Sequence, residues 1–434
     1  MSSRIPSEIP TPPPHVALRA NLRANLRANL GALVGSHAIG LLVPLLTLPY
    51  LARTLHPAGW APVLLAQALA AWVVMLLDYG FELSGARAVA NARAAGRELA
   101  AVVWRIQGAK LLLLPLGALL LLGAAWALPA LRADGALVAW ALLFALARGL
   151  HPLWYFQGME RVRGAVAVDT GSRVLAALAV FALVRDPSHG WRVVALQGVA
   201  AVCSGGWLTL TLWRELPPVA ISLRAAADTL RAEWTLFAFK ASSTLYMQAN
   251  TVLLGLFAPA LAVAAYGGAE KIARAAINLL DPLTRVLLPR ISYLVQADAA
   301  AAAALVRRVL LWLGGGASVA GALLALLAPQ VVSLLLGSGY EAAVPVLRLL
   351  ALLLPIIAVG TVLGIFWALP LGRDRALLVI TAAAGVLNVL LVLALVPRHG
   401  ASGMAGAVVV AELLVSASLA VMYGRWRPLP PAAA

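Results

Sequence analysis

A single cysteine, Cys203, stands in a chain of 434 residues. That excludes an intramolecular disulfide and any cysteine cage for a metal. Histidine is scarce as well, with six residues. No HExxH, CxxC or Walker-type pattern occurs, so zinc-peptidase, thiol-redox and P-loop chemistry have no support in the sequence. Charged residues make up only 12% of the chain against 62% hydrophobic, too few to clothe a soluble surface. Acids are the scarcest of the charges: 17 Asp and Glu face 33 Lys and Arg, for a net charge of +16. Nucleic acid is not the expected partner of this excess, because the arginines lie between apolar runs and not on a basic domain.

Apolar runs are what the chain has in abundance. Each approaches the ~20 residues that cross ~30 Å of hydrocarbon, and the mean hydropathy is +0.92. The expected fold is an all-α polytopic membrane protein. With Gly, Pro and charge clusters as punctuation, about twelve spans emerge. The first six cover residues 29–52, 59–80, 103–128, 133–156, 162–184 and 190–213. The second six cover 234–257, 261–290, 305–328, 345–369, 375–397 and 402–424. A basic amphipathic linker, 214–233, joins the two lobes (29–213 and 234–424), and 425–434 form a tail.

The segment 1–28 begins with the Pro-rich "IPSEIPTPPPH", a composition that favours disorder. "LRANLRANLRANL" then places Arg19, Arg23 and Arg27 along one side of a helix. A signal peptide does not fit, since the following apolar run is too long and no clear A-x-A site follows. The repeat reads either as a cationic collar drawn to anionic lipid or as a solvated lead-in. Basic residues crowd the N-terminal segment and alternate loops, such as those of Arg87 and Arg93, Arg161 and Arg163, Arg307 and Arg308, and Arg373 and Arg375. The positive-inside rule therefore puts both termini in the cytoplasm. The opposite loops are short and lack an acidic cluster, against the expectation for an enzyme working on the outer face.

Several charges fall within the spans. Lys271 lies about ten residues, or roughly 15 Å, into span eight, near the midplane. Such a charge facing lipid costs about 2.5–3.5 kcal/mol, so it is expected to face protein or water. Gly267, Lys271, Arg274, Asn278, Asp281 and Arg285 share an arc of about 80° on that helix, the pattern of a helix lining a wet cavity. In span seven Lys240, Ser243, Thr244, Asn250 and Thr251 share a face. Span four buries Arg148, and span five carries Asp169 and Arg173 at i, i+4, a pair able to neutralise itself. Span one aligns Ser36, Gly40, Pro44 and Thr47, which suits a bending or gating helix. An alternative for span eight is a satisfied interior, with Glu270 paired to Arg274 and Lys271 partnered on a neighbouring helix. Against it, embedded bases outnumber embedded acids, and a positive surplus calls for an anion such as phosphate.

The stretches "LPYLARTLHPAGW", "DYGFELSGARAVANAR", "WYFQGMER", "AYGGAEKIARAAINLLDPLTRVLLPRIS", "GSGYEAAVPVLRLLALLLP" and "GASGMAGAVVVAEL" occur in this order. Together they resemble the Wzx-type O-antigen and exopolysaccharide flippases of the multidrug/oligosaccharidyl-lipid/polysaccharide exporter superfamily. The chain departs from that pattern at Leu55–Ala61, "LHPAGWA", where the family has a Gly-rich turn, and in the LRAN repeat.

The resemblance implies a non-enzymatic transporter of the bacterial inner membrane. It implies two six-helix lobes around a central cavity lined mainly by spans one, two, seven and eight. The implied substrate is an undecaprenyl-pyrophosphate-linked oligosaccharide, carried to the periplasmic leaflet by alternating access, with polysaccharide polymerase and chain-length machinery as further partners. Arg148, Lys240, Asn250, Lys271, Arg274 and Asn278 are the candidate substrate contacts and Gly40 and Pro44 the candidate gating residues. No cofactor is expected beyond coupling to a proton or Na+ gradient, for which Asp78 and Glu270 match the motif positions. A multidrug exporter of the same superfamily is the main rival, with a polymerase or glycosyltransferase behind it.

Overall fold

The computed structural model describes the backbone of residues 14–96 and 98–425; the side chains of 14–30, 32–34, 239, 242–248, 281, 282, 285 and 286 lie outside the description. Every regular element among the described residues is helical. In chain order they are α1 (Pro14–Asp78), α2 (Phe81–Ala94), α3 (Leu99–Ala127), α4 (Pro129–Arg132), α5 (Gly135–Gly149), α6 (Leu153–Gly158), α7 (Val162–Leu183) and α8 (Gly190–Glu215). There follow α9 (Leu223–Phe257), α10 (Ala260–Ile277), α11 (Asp281–Ala297), α12 (Ala299–Leu326), α13 (Ala328–Leu335), α14 (Ala343–Ala351), α15 (Leu353–Thr361) and α16 (Asp374–Gly424). Between α15 and α16, Val362–Ala368 form a π-helical turn.

By length and composition, eight helical stretches among the described residues can cross a membrane. The first and last are each double. α1 breaks at His56 (φ 53°) and doubles back there: Ser36 meets Thr170 and Tyr50 meets Val184 before the break, whereas Gly59 abuts Pro187 and Gln67 meets Gln197 after it. α7 and α8 run in opposite directions, so the two parts of α1 do too. α16 breaks at Gly400 (φ 52°). α9 and α10 are not among the eight; α10 puts Glu270, Lys271 and Arg274 into 18 residues. The stretch expected as a linker has no separate helix of its own, since 223–233 run unbroken into α9.

Local chemistry marks many of the ends. Asp134, Ser222 and Asp298 accept hydrogen bonds from the amides of Leu137, Ala225 and Ala301, three residues on, satisfying donors that a helix start leaves orphaned. The outward face is apolar: Leu119, Trp126, Leu175, Trp312 and Leu326 are all exposed. Large apolar side chains stand on this outer face while Lys110 and Asp169 are buried, as lipid and not water requires.

Packing forms two groups. α1, α3, α5, α7 and α8 pack on one another, and α12, α14, α15 and α16 do likewise. α9 and α10 pack on both α1 and α16. At the His56 end, the Arg53 guanidinium donates to the Leu334 carbonyl and the Tyr340 hydroxyl donates to the Ala52 carbonyl at 3.1 Å. Trp60 meets Tyr340 edge-on at 5.9 Å. At the Asp78 end, Tyr79 lies flat on Phe237, 4.2 Å between ring centres.

Candidate substrate cavity

A cavity of about 440 Å³ opens inside the first helical group. α1 lines it with Ser36, Gly40, Pro44 and Thr47 before the His56 break and with Trp60 and Gln67 after it. Arg148 enters from the last turn of α5, where the helix carbonyls favour a cation. α7 supplies Asp169, Thr170 and Arg173, and α8 supplies Gln197 and Ser204. Among the described residues, Lys271 of α10 alone lines it from beyond α8.

Asp169 organises the charges. Its Oδ1 accepts from Arg148 Nη1 at 2.7 Å and from Ser204 Oγ at 3.4 Å, with His151 Nε2 3.3 Å away. Its Oδ2 accepts from Arg173 Nη2. The carboxylate is 4% exposed, but the side chains of Arg148 and Arg173 are 27% and 42% exposed. Both forks therefore keep N–H groups free to face the cavity. The pair expected to neutralise itself, Asp169 with Arg173, is thus a triad in which one carboxylate serves two guanidiniums. Counting Lys271, three cations and one carboxylate line the space, a surplus of two positive charges.

Spans one, two, seven and eight are the expected lining; among the described residues α1 and Lys271 of α10 line this cavity together with α5, α7 and α8. Close approach explains the small share of α10. A Cβ on Gly267 would sit 2.6 Å from Leu64 Cδ1, and one on Gly268 would sit 2.8 Å from Leu336 and 3.3 Å from Trp60. This stretch of α10 is pressed flat against α1, and Lys271, one turn further on, reaches the cavity.

The other expected site residues disperse. Arg274 donates to Glu270 Oε1 from Nη2 at 2.8 Å and from Nε at 3.0 Å, while Glu270 also receives the Thr251 hydroxyl at 3.4 Å. Glu270 thereby turns to Arg274, and among the described residues no hydrogen bond or ion pair engages Lys271. Asn278 ends α10, half-buried and outside the cavity lining. Lys240 donates to Asp78 Oδ2 and lies 3.5 Å from Glu82, also outside the cavity lining. Asn250 is buried and accepts from Asn388 Nδ2 at 3.0 Å. Gly40 and Pro44 do line the cavity, and a side chain at Gly40 would meet open space. Of the expected polar stripes, the side chains of Ser243, Thr244, Asp281 and Arg285 lie outside the described residues.

Lys110, His151, Gln67, Gln197 and Asn388 were not foreseen. Lys110 is 1% exposed, donates to the Gly149 carbonyl at 3.1 Å and stands 3.9 Å from Asp78. A lone lysine inside the apolar "GAKLLLLPLG" was a legible signal of the same kind as Arg148. The glutamines and Asn388 carry no such signal, since a neutral amide fits many depths of a span. Among the described residues no group of three His, Cys, Asp or Glu side chains could hold a metal ion.

Solved structures share the fold. An inward-facing multidrug resistance MATE family transporter of the MOP superfamily superposes with TM-score 0.63 at 16% identity, over 87% of this chain and 93% of its own. Lipid II flippase MurJ, in an inward closed conformation, gives 0.61 at 11% identity, over 87% of both chains. In sequence, the chain is 27% identical over 390 residues to a protein of Escherichia coli (strain K12) named "Putative O-antigen transporter", over 88% of this chain and 93% of that one. A protein of the same name from Shigella dysenteriae is 25% identical over 384 residues, 87% and 95% of the two chains. Residues 26–295 match the family described as polysaccharide biosynthesis protein. A match over more than half its length, running through α1, α5, α7 and α8 and on to Lys271, makes this chain a member of the polysaccharide biosynthesis protein family.

Proposed function

We propose that the protein is a flippase carrying undecaprenyl-pyrophosphate-linked oligosaccharide units from the cytoplasmic to the periplasmic leaflet for O-antigen or exopolysaccharide synthesis. The observation that carries this reading is the charge of the cavity. A diphosphate diester bears two negative charges, and Arg148, Arg173 and Lys271, less Asp169, offer two positive ones. Moving such a group through hydrocarbon unpaired is prohibitive, whereas guanidinium forks match phosphate oxygens in geometry and charge. At about 440 Å³ the space suits the diphosphate linkage region and not a whole repeat unit. The names of the relatives support the same substrate class.

On this reading twelve spans form two lobes that rock about the cavity, with both termini cytoplasmic in the inner membrane. The His56-end contacts close the periplasmic side, and the Asp78–Lys240 pair bridges the lobes towards the cytoplasm. Asp78 and Glu270 each hold a cation that protonation would release, which gives an ion gradient a point of action. A multidrug exporter for organic cations fits less well, because like charges repel at a net cationic wall.

The test is complementation of a flippase-null strain that makes a defined repeat unit. Wild type is expected to restore surface polysaccharide. Arg173→Gln combined with Lys271→Gln keeps Arg148 on Asp169 and is expected to leave protein in the membrane while lipid-linked units accumulate on the cytoplasmic side. Normal polysaccharide export by that double variant would refute the assignment.

A further inference from the structure

One carboxylate at the Asp78 end has two lysines, and they belong to different parts of the molecule. Asp78 closes α1, and Tyr79 (φ 50°) and Gly80 (φ 89°) turn the chain into α2. Lys240 reaches Asp78 Oδ2 from α9. Lys110 of α3 stands 3.9 Å from Oδ1, tethered by its hydrogen bond to the Gly149 carbonyl. The two lysines differ in surroundings. Lys110 is 1% exposed, whereas Lys240 is 31% exposed and has Glu82 at 3.5 Å as a second anion. Around them the α1–α2 elbow grips α9 through the Tyr79–Phe237 stack, and Leu236 packs under Gly80.

We propose that Lys240 is a detachable latch between α9 and the α1–α2 elbow, and that Lys110 is the resident counter-cation that allows the latch to open. The proposal rests on the alternating-access reading above. An ion pair shielded from water resists opening because separation strands a bare carboxylate. Lys110 removes that obstacle. It sits with Asp78 in the first helical group, held by Gly149, and stays beside the carboxylate when α9 leaves. Lys240, already partly wet, departs into water, and Glu82, 57% exposed on α2, is solvated when it goes. Lys110 is thus a positioning residue acting through Asp78, and it has no need to touch substrate.

The experiment uses spin labels at Ala90 on α2 and Ala232 on α9, both exposed, in a Cys203→Ser background. Distance distributions are measured in lipid nanodiscs by double electron–electron resonance. Wild type is expected to show a short and a long population. Lys240→Met is expected to raise the long-to-short ratio at least tenfold. Lys110→Met is expected to lower it at least tenfold, because Asp78 then depends on Lys240 alone, and Lys110→Arg to restore it. Lys110→Gln removes the charge but keeps a donor for Gly149, and it is expected to act like the methionine variant where that one fails to fold. An unchanged or raised ratio in both neutral Lys110 variants overturns the role of Lys110 while leaving the transport reading intact. A single identical distance in every protein, Lys240→Met included, overturns the latch together with the alternating-access reading beneath it.

Discussion

Neutralising Lys271 is expected to move stability and binding in opposite directions. Arg148, Arg173, Lys240 and Arg274 all sit against carboxylates, so removing any of them takes an ion pair from the fold and mixes folding effects with loss of function. Lys271 has no such partner among the described residues. The residue is half-buried at the cavity wall, lining the same space as Arg148 and Arg173. An unsatisfied polar or charged group in such a place costs about 1–3 kcal/mol. Lys271→Gln removes the charge, keeps most of the side-chain volume and leaves Glu270 with Arg274. Stability should therefore hold or rise, and a gain of ~1 kcal/mol would lift Tm by about 1 °C in a chain of this size.

Binding should move the other way. A charge-assisted hydrogen bond to a phosphate oxygen contributes about 1.5–3 kcal/mol, so inorganic pyrophosphate should bind the variant roughly 10- to 150-fold more weakly. The assay is thermal unfolding of the detergent-solubilised protein, with and without pyrophosphate, alongside a calorimetric titration. Unchanged pyrophosphate affinity would refute the placing of Lys271 in the site. A Tm several degrees lower would show that Lys271 has a structural partner and that the reasoning is wrong at its first step.

Other perturbations report on packing. Gly268→Leu drives a side chain into Leu336 and Trp60; it should separate α10 from α1 at a cost of about 1–3 kcal/mol and abolish complementation, with Gly268→Ala milder in both assays. Asn388→Leu leaves the buried Asn250 without its partner, which should destabilise the protein by about 1–3 kcal/mol. The Asn250→Leu, Asn388→Leu double variant should recover most of that loss in thermal unfolding, and additive losses would show that the two amides do not depend on each other.

Much of this architecture is legible from residue order. Eight apolar helices follow from runs that neither water nor a soluble core would accept. The doubling back of α1 is signalled by the "LHPAGW" break, although the reversal falls at His56 and not at a Gly-rich turn. Helical phase sets Lys271 on an inward-facing stripe, and the fold gathers Arg148, Gly40 and Pro44 with it on one cavity wall. Lys240, Arg274 and Asn250, set inward in the same way, lie against other side chains. Helical phase gives the side of a helix and not what lies opposite, and Asp78, Glu270 and Asn388 stand there. A stripe that points inward can end on a wet cavity or on a carboxylate, and spacing along one helix is the same for both.

Hydropathy and charge along the chain were thus enough for the membrane, the helices and an interior that holds more cations than acids, because transfer free energies act residue by residue. Which cations remain available for an anion depends on packing. Asp169 joins Arg148 to Arg173 across helices, Asp78 takes Lys240 from 162 positions away, and Gly267 and Gly268 let α10 lie close enough for Lys271 to reach the cavity. Those pairings decide the electrostatics of the site, because Coulomb energy falls with distance in space and only the folded chain sets that distance.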